Sequence, residues 1–216
     1  MSWFTGTVSS SLGKKYIMAL TGLLLGGFLA VHAAGNSTIF LGRSAFVSYA
    51  GHLHKLVPLV AAAEVLLFAV FAAHMTIGLV LFVQNRKARG SRYAVSASAG
   101  GSTWGSATMP YTGLVILCFL LLHLYHFRFP DPGRSIADEV VLVLHRPVYS
   151  ILYVIGLCAL GLHVSHGFWS MFQSMGVNHP KYDGLVRILA WMACGLIIAV
   201  FLFIVLLLLL NCNYLV

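Results

Sequence analysis

The sequence predicts an all-α membrane protein: five transmembrane helices in a bundle. Three observations predict it. The 216 residues are 60% hydrophobic and only 8% charged, and the mean hydropathy is +0.92, whereas soluble domains carry about 25% charged residues. The apolar residues gather into five runs long enough to cross a bilayer. Each of the first four runs contains a histidine, at His32, His74, His123 and His163. Histidine is costly in hydrocarbon, and an intramembrane histidine is therefore a functional candidate. Neutral imidazole is also an axial ligand for haem iron.

The chain reads as one transmembrane domain over residues 1–216, with helices expected at about 15–34, 57–84, 110–127, 147–172 and 185–210. The first thirteen residues are polar and rich in Ser and Gly, with Trp3 and Phe4, and suit an interfacial arm. The first helix begins at Lys15 and contains Gly22, Gly26 and Gly27, small residues that let another helix or a flat macrocycle approach its backbone. Lys14-Lys15, an apolar run and Ala33-Ala34 imitate a signal peptide, but the segment is read as a retained anchor. Residues 35–56 are expected to connect, with Arg43, His52, His54 and Lys55.

The second helix opens at Val57-Pro58, where proline suits a first turn, and carries Glu64 and His74. After it come Arg86-Lys87-Ala88-Arg89-Gly90-Ser91-Arg92 and a Ser/Gly-rich linker through Gly105. The third helix carries His123. Residues 128–146 form the longest loop, hold Asp131, Asp138 and Glu139, and have room for a short interfacial helix. The fourth helix carries His163. A polar turn with Asn178-His179-Pro180 leads to the fifth, which has no histidine.

The formal charge of +8 is scattered or lies between apolar segments, so it reads as topology-setting loops and not as a nucleic-acid surface. Cys118, Cys158, Cys194 and Cys212 form no CxxC and read as small apolar fillers. With the N-terminus in the cytoplasm, eight basic residues lie inside (Lys14, Lys15, Arg86, Lys87, Arg89, Arg92, Lys181, Arg187) and five outside (Arg43, Lys55, Arg128, Arg134, Arg146).

That orientation sorts the histidines by depth. His32 and His123 lie toward the outer ends of their helices. His74 precedes Arg86 by twelve residues, ~18 Å at the helical rise, and His163 also lies in an inner half. Two layers follow, His32 with His123 and His74 with His163, and each can hold one bis-histidine haem. His126 and His166 lie three residues beyond a proposed ligand on the same helix face and compete for the assignment. Trp169, Tyr111, Tyr125 and Tyr149 sit near boundaries, as belt residues do. Glu64 is the only carboxylate inside an expected helix. Burial is expected to keep it neutral and able to exchange protons.

The sequence resembles the di-haem cytochrome b membrane subunit of succinate:quinone oxidoreductases, the succinate dehydrogenases and quinol:fumarate reductases with one five-helix anchor. The most specific segment is His163-Val164-Ser165-His166-Gly167-Phe168-Trp169-Ser170, similar to the family's His-x-Ser-x-Gly-x-Trp-Ser in the fourth helix. Ala73-His74-Met75-Thr76-Ile77-Gly78 matches the second-helix ligand, Leu122-His123-Leu124-Tyr125 the third and His32 the first.

The resemblance implies two haems b ligated by His32/His123 and His74/His163, and a quinone, expected to be menaquinone. It also implies a flavoprotein and an iron–sulfur subunit docked on the cytoplasmic side of a bacterial inner membrane. The chain lacks a dinucleotide fingerprint and cluster-binding cysteines, so it is not expected to carry out the succinate–fumarate chemistry itself. Some family members have a glutamate for proton transfer two residues before the fourth-helix ligand, where this chain has Gly161. The readings outside this family are another bis-histidine cytochrome b, such as a b561-like transmembrane reductase or a hydrogenase or formate dehydrogenase anchor, and a transporter with a histidine relay.

Overall fold

A computed structural model describes residues 6–7, 9–88, 104–129, 133–177, 179, 181–211 and 213–215. Trp3, Phe4, Arg89, Arg92, most of the Ser/Gly-rich linker, Asp131 and Cys212 lie outside the described residues. The described chain is helical throughout, and five of its helices are long and apolar enough to cross a membrane.

Helix α1, Ser11–Asn36, starts at Ser10, whose hydroxyl accepts from the Gly13 amide at 3.0 Å. Residues 35–56, expected as a connection, are mostly helical. A 3₁₀ turn covers Ser37–Leu41, Gly42 reverses the chain at φ 96°, and helix α2 runs from Arg43 to Lys55. Glycine suits that left-handed backbone. Phe46 on α2 is buried, while His52, His54 and Lys55 are exposed. One anchoring face and one wet face describe a helix that lies across the bundle's end.

Helix α3, Val57–Ala88, has Pro58 in its first turn. Helix α4, Trp104–Phe127, begins six residues before the expected start and carries Pro110 in its second turn. Pro110 lies past the first four N–H groups, so the helix forgoes one i→i−4 hydrogen bond there and continues. Helix α5, Ile136–Leu144, is the short helix within residues 128–146, and it is fixed by a capping box between Ser135 and Asp138. Helix α6, Pro147–Ser174, opens on proline and ends before Gly176 at φ 70°. Helix α7 is Asp183–Leu210.

Helix α6 is central. It packs against α4, α1 and α7, and α1 also packs against α3. The four histidine-bearing helices therefore form a square with α1–α3, α1–α6 and α4–α6 as close sides and α3–α4 as a loose one. Helix α7 lies outside the square against α6.

The apolar core is concentrated at the end carrying Arg43, where Ile39, Phe46, Ala137, Leu144 and Leu157 pack with Leu208. At the opposite end, which carries Lys14, the ties are sparse. Lys14 Nζ donates to Gln84 Oε1 at 3.0 Å, and the Arg187 guanidinium lies 4.2 Å from the Trp169 ring centre. No residue of the α3 span is buried within the protein. One side of α3 lies against α1, and its remaining apolar surface suits lipid.

Candidate functional site: two histidine pairs on the diagonals of the bundle

His32 stands on α1 and His123 on α4; His74 stands on α3 and His163 on α6. Both pairs are diagonals of the square, and neither diagonal is a close helix–helix contact. The structure nevertheless brings each pair together. The ring centres of His74 and His163 are 6.4 Å apart, with planes at 63°. Those of His32 and His123 are 5.9 Å apart, at 86°.

These separations test the fit of a haem. A metal–imidazole bond of about 2 Å on each side, with about 1 Å from nitrogen to ring centre, sets two trans imidazoles about 6 Å apart. Among the described residues, no group of three or more His, Cys, Asp or Glu gathers as a metal site. Two imidazoles alone would leave four positions of an octahedral iron to fill, which the four nitrogens of a porphyrin could take. The donor set fits haem.

Of the glycines on α1, Gly22 lies in the seam with α3, where a Cβ would meet the His74 ring edge, with Cε1 at 3.4 Å. A Cβ at Gly26 or Gly27 would meet nothing within 4 Å, so those two do not form part of that seam.

The two pairs are held differently. His74 Nδ1 lies 2.9 Å from Thr21 Oγ1, and His163 Nδ1 lies 3.1 Å from Thr112 Oγ1. His32 stacks on Phe28 at 5.3 Å and meets Phe201 at 5.6 Å. His123 lies among Phe119, Phe127 and Tyr153. Its Nδ1 is buried and, among the described residues, has no hydrogen-bond partner. Asn36 Nδ2 comes within 3.4 Å of His32 Nδ1 while donating to the His32 carbonyl at 2.8 Å.

The competing histidines occupy other places. His126 is buried, and its Nδ1 pairs with the Tyr153 hydroxyl at 3.1 Å. It is a polar strut between α4 and α6, turned away from His32. His166 abuts the start of α4, where a Cβ at Gly105 would collide with its ring. Each forms a contact between elements, and neither faces a second histidine as the four do.

Glu64 differs from expectation in its surroundings. Its side chain is 46% exposed and ion-paired with Arg128, Oε1 to Nε at 3.1 Å and Oε2 to Nη2 at 3.2 Å. The carboxyl is therefore neither isolated nor buried as expected. The partner is a guanidinium 64 residues away, at the same end of α4 as His123 and His126. Gly161 faces α7: a Cβ there would meet Ile198 at 3.4 Å, and its carbonyl accepts from Cys194 Sγ at 3.4 Å. That position looks away from the square of histidine helices. Cys118 and Cys158 are free and exposed, and Cys194 is free and buried.

No protein-family model, curated protein or solved structure matches the chain. The fold and site define a multi-pass helical membrane protein with two converging intramembrane histidine pairs.

Proposed function

We propose that the protein is the di-haem cytochrome b anchor of a succinate:quinone oxidoreductase. The carrying observation is the approach of two histidine pairs along both diagonals of one four-helix square, at ring separations that suit trans ligation. In this reading His32 and His123 hold one haem b, and His74 and His163 the other. Haem bound there would supply reversible one-electron chemistry. The chain would hold it through the four histidine nitrogens and supply the apolar surroundings and the separation of the two layers.

The electrons pass between a membrane quinol, menaquinol by expectation, and an iron–sulfur subunit that docks with a flavoprotein at the Lys14, Arg86 and Lys87 end. The positive-inside bias supports a cytoplasmic placement of that end, and the family resemblance supports a bacterial inner membrane. Glu64 is the proposed proton acceptor for quinol oxidation at the opposite, outer end. Arg128, just past the end of α4, holds the half-exposed Glu64 side chain of α3 near that surface, which gives released protons a short route to water.

A visible spectrum of the purified chain tests the reading. A haem b Soret and α band, with two low-spin haems per chain, is the expected result. A colourless protein would overturn it. Cross-links from an iron–sulfur subunit to α2 or α5, and not to the Lys14 end, would overturn the orientation alone.

A further inference from the structure

The two threonines that touch His74 and His163 belong to a repeat. Met18, Thr21, Gly22, Phe28 and His32 on α1 recur with the same spacing as Met109, Thr112, Gly113, Phe119 and His123 on α4. The partner helices repeat as well: Pro58, His74 and Gly78 on α3 recur in register as Pro147, His163 and Gly167 on α6. The bundle is thus two α-helical halves, α1 with α3 and α4 with α6. In each half, the Thr-Gly of the first helix faces the histidine of the second. Each diagonal pair takes one histidine from each half.

The hydrogen bonds fix what each threonine does. Thr21 Oγ1 lies 2.7 Å from the Ile17 carbonyl and 3.2 Å from that of Met18. Thr112 Oγ1 lies 3.1 Å from the carbonyls of both Thr108 and Met109. Carbonyls only accept, so each hydroxyl proton points to its own helix backbone. The hydroxyl oxygen is then left to accept, an arrangement that favours a proton on the facing Nδ1. A neutral imidazole protonated at Nδ1 keeps its lone pair on Nε2. The adjoining glycines leave room for the same rings, since a Cβ at Gly22 would lie 3.4 Å from His74 Cε1 and one at Gly113 3.6 Å from His163 Cε1.

We propose that Thr21-Gly22 and Thr112-Gly113 are the positioning elements of the His74/His163 layer, each hydroxyl selecting the Nε2-ligating tautomer and each glycine seating the ring. This rests on the haem reading. A second consequence follows for the bound iron. An Nδ1–H that donates to an oxygen makes the imidazole a more basic ligand. A more basic ligand favours the ferric state, so removing the acceptor raises the potential of that haem.

The test is Thr21→Val and Thr112→Val in the full chain, each beside its Ser counterpart. In the Val variants one of two haems should show a higher midpoint potential and a shifted low-spin electron paramagnetic resonance signal. Its transfer to apomyoglobin should be about ten-fold faster, as loss of an outer-shell partner predicts. Serine should restore all three. Val variants with unchanged potential, resonance and transfer would overturn the proposal while leaving the haem assignment standing.

If a Val variant takes up no haem, nitrogen-15 histidine spectra of the full wild-type chain made without haem decide. Nδ1–H at His74 and His163 supports the proposal, and Nε2–H overturns it. That readout also separates the two ideas should the wild-type chain prove colourless.

Discussion

The His74/His163 layer and the His32/His123 layer present the same donors but hold them by different physics. In the first, hydroxyls on neighbouring helices hold both Nδ1 atoms, and the surrounding helix α3 is bare of internal burial. In the second, the rings are fixed by aromatic packing on Phe28, Phe119, Phe127 and Phe201, and the Nδ1 of His123 has no partner among the described residues. A hydrogen bond sets a tautomer and a direction. Packing sets a plane and leaves the tautomer to the ligand. Because the halves repeat, the difference comes from what fills each end: the apolar core and the two short helices lie at the Arg43 end.

The largest effect should come from removing a ligand from one layer. His163→Ala is expected to lower the haem content from about two to about one per chain, and His123→Ala likewise, with the lost haem differing in its spectrum. Haem-to-protein ratios and redox titration read the outcome. Loss of the same spectral component in both variants would break the pairing, and two intact haems in His163→Ala would remove that residue from ligation.

Next in size is the chemistry at the outer layer. Glu64→Gln should keep both haems and lower quinol-dependent turnover by about 10²–10⁴-fold, the range for a lost general base. Electron flow from an artificial donor should persist. Normal quinol turnover would take Glu64 out of the mechanism. Arg128→Gln is the companion variant, since the ion pair couples the two residues.

Much of this arrangement was legible in the sequence because it rests on helical spacing. The five apolar runs and the depth of each histidine follow from periodicity and from the basic residues that bound the runs. Residues 35–56 were read as a connection because their hydropathy is low, yet α2 needs only one buried face around Phe46 to form. The partner of Glu64 was hidden because Arg128 comes from another helix, 64 residues on. Thr21 and Thr112 were hidden because a threonine within an apolar helix looks inert until the imidazole it meets is located. The repeat of Thr-Gly ahead of a histidine was the available signal, visible only when α1 is aligned with α4.

A packing change should separate the layers more finely. A Cβ at Gly156 would collide with the Phe119 ring, which in turn touches His123 and Tyr153. Gly156→Leu should therefore disturb the His32/His123 layer alone, at about 1–3 kcal/mol of overpacking. Resonance signals of the two haems check this. Equal disturbance of both would show that the layers are not independently held. Tyr153→Phe is milder: it removes the partner of buried His126 Nδ1 and should cost about 1 kcal/mol, seen as a lowered melting temperature with both haems kept.

The smallest expected effect lies at the polar clamp over the Arg43 end. Arg43 joins α2 to α5 through Asp138 at 2.7 and 3.1 Å, and reaches the Leu215 carbonyl at 2.7 Å. Asp138 is held well below the ordinary carboxylate range, first by the hydrogen bond from Arg43 and next by that from Ser135. A carboxyl whose folded value is depressed adds stability above its unfolded value, about 4, and loses it as the pH falls below that. Asp138→Asn should thus melt slightly below wild type at neutral pH, and the gap should narrow as the pH falls from about 4 toward 2. The clamp is exposed, so solvent screening keeps the effect small. A gap that stays constant with pH would mean the carboxylate charge contributes nothing there. The aromatic packing around His32 and His123 would then hold that end of the bundle without the ion pair.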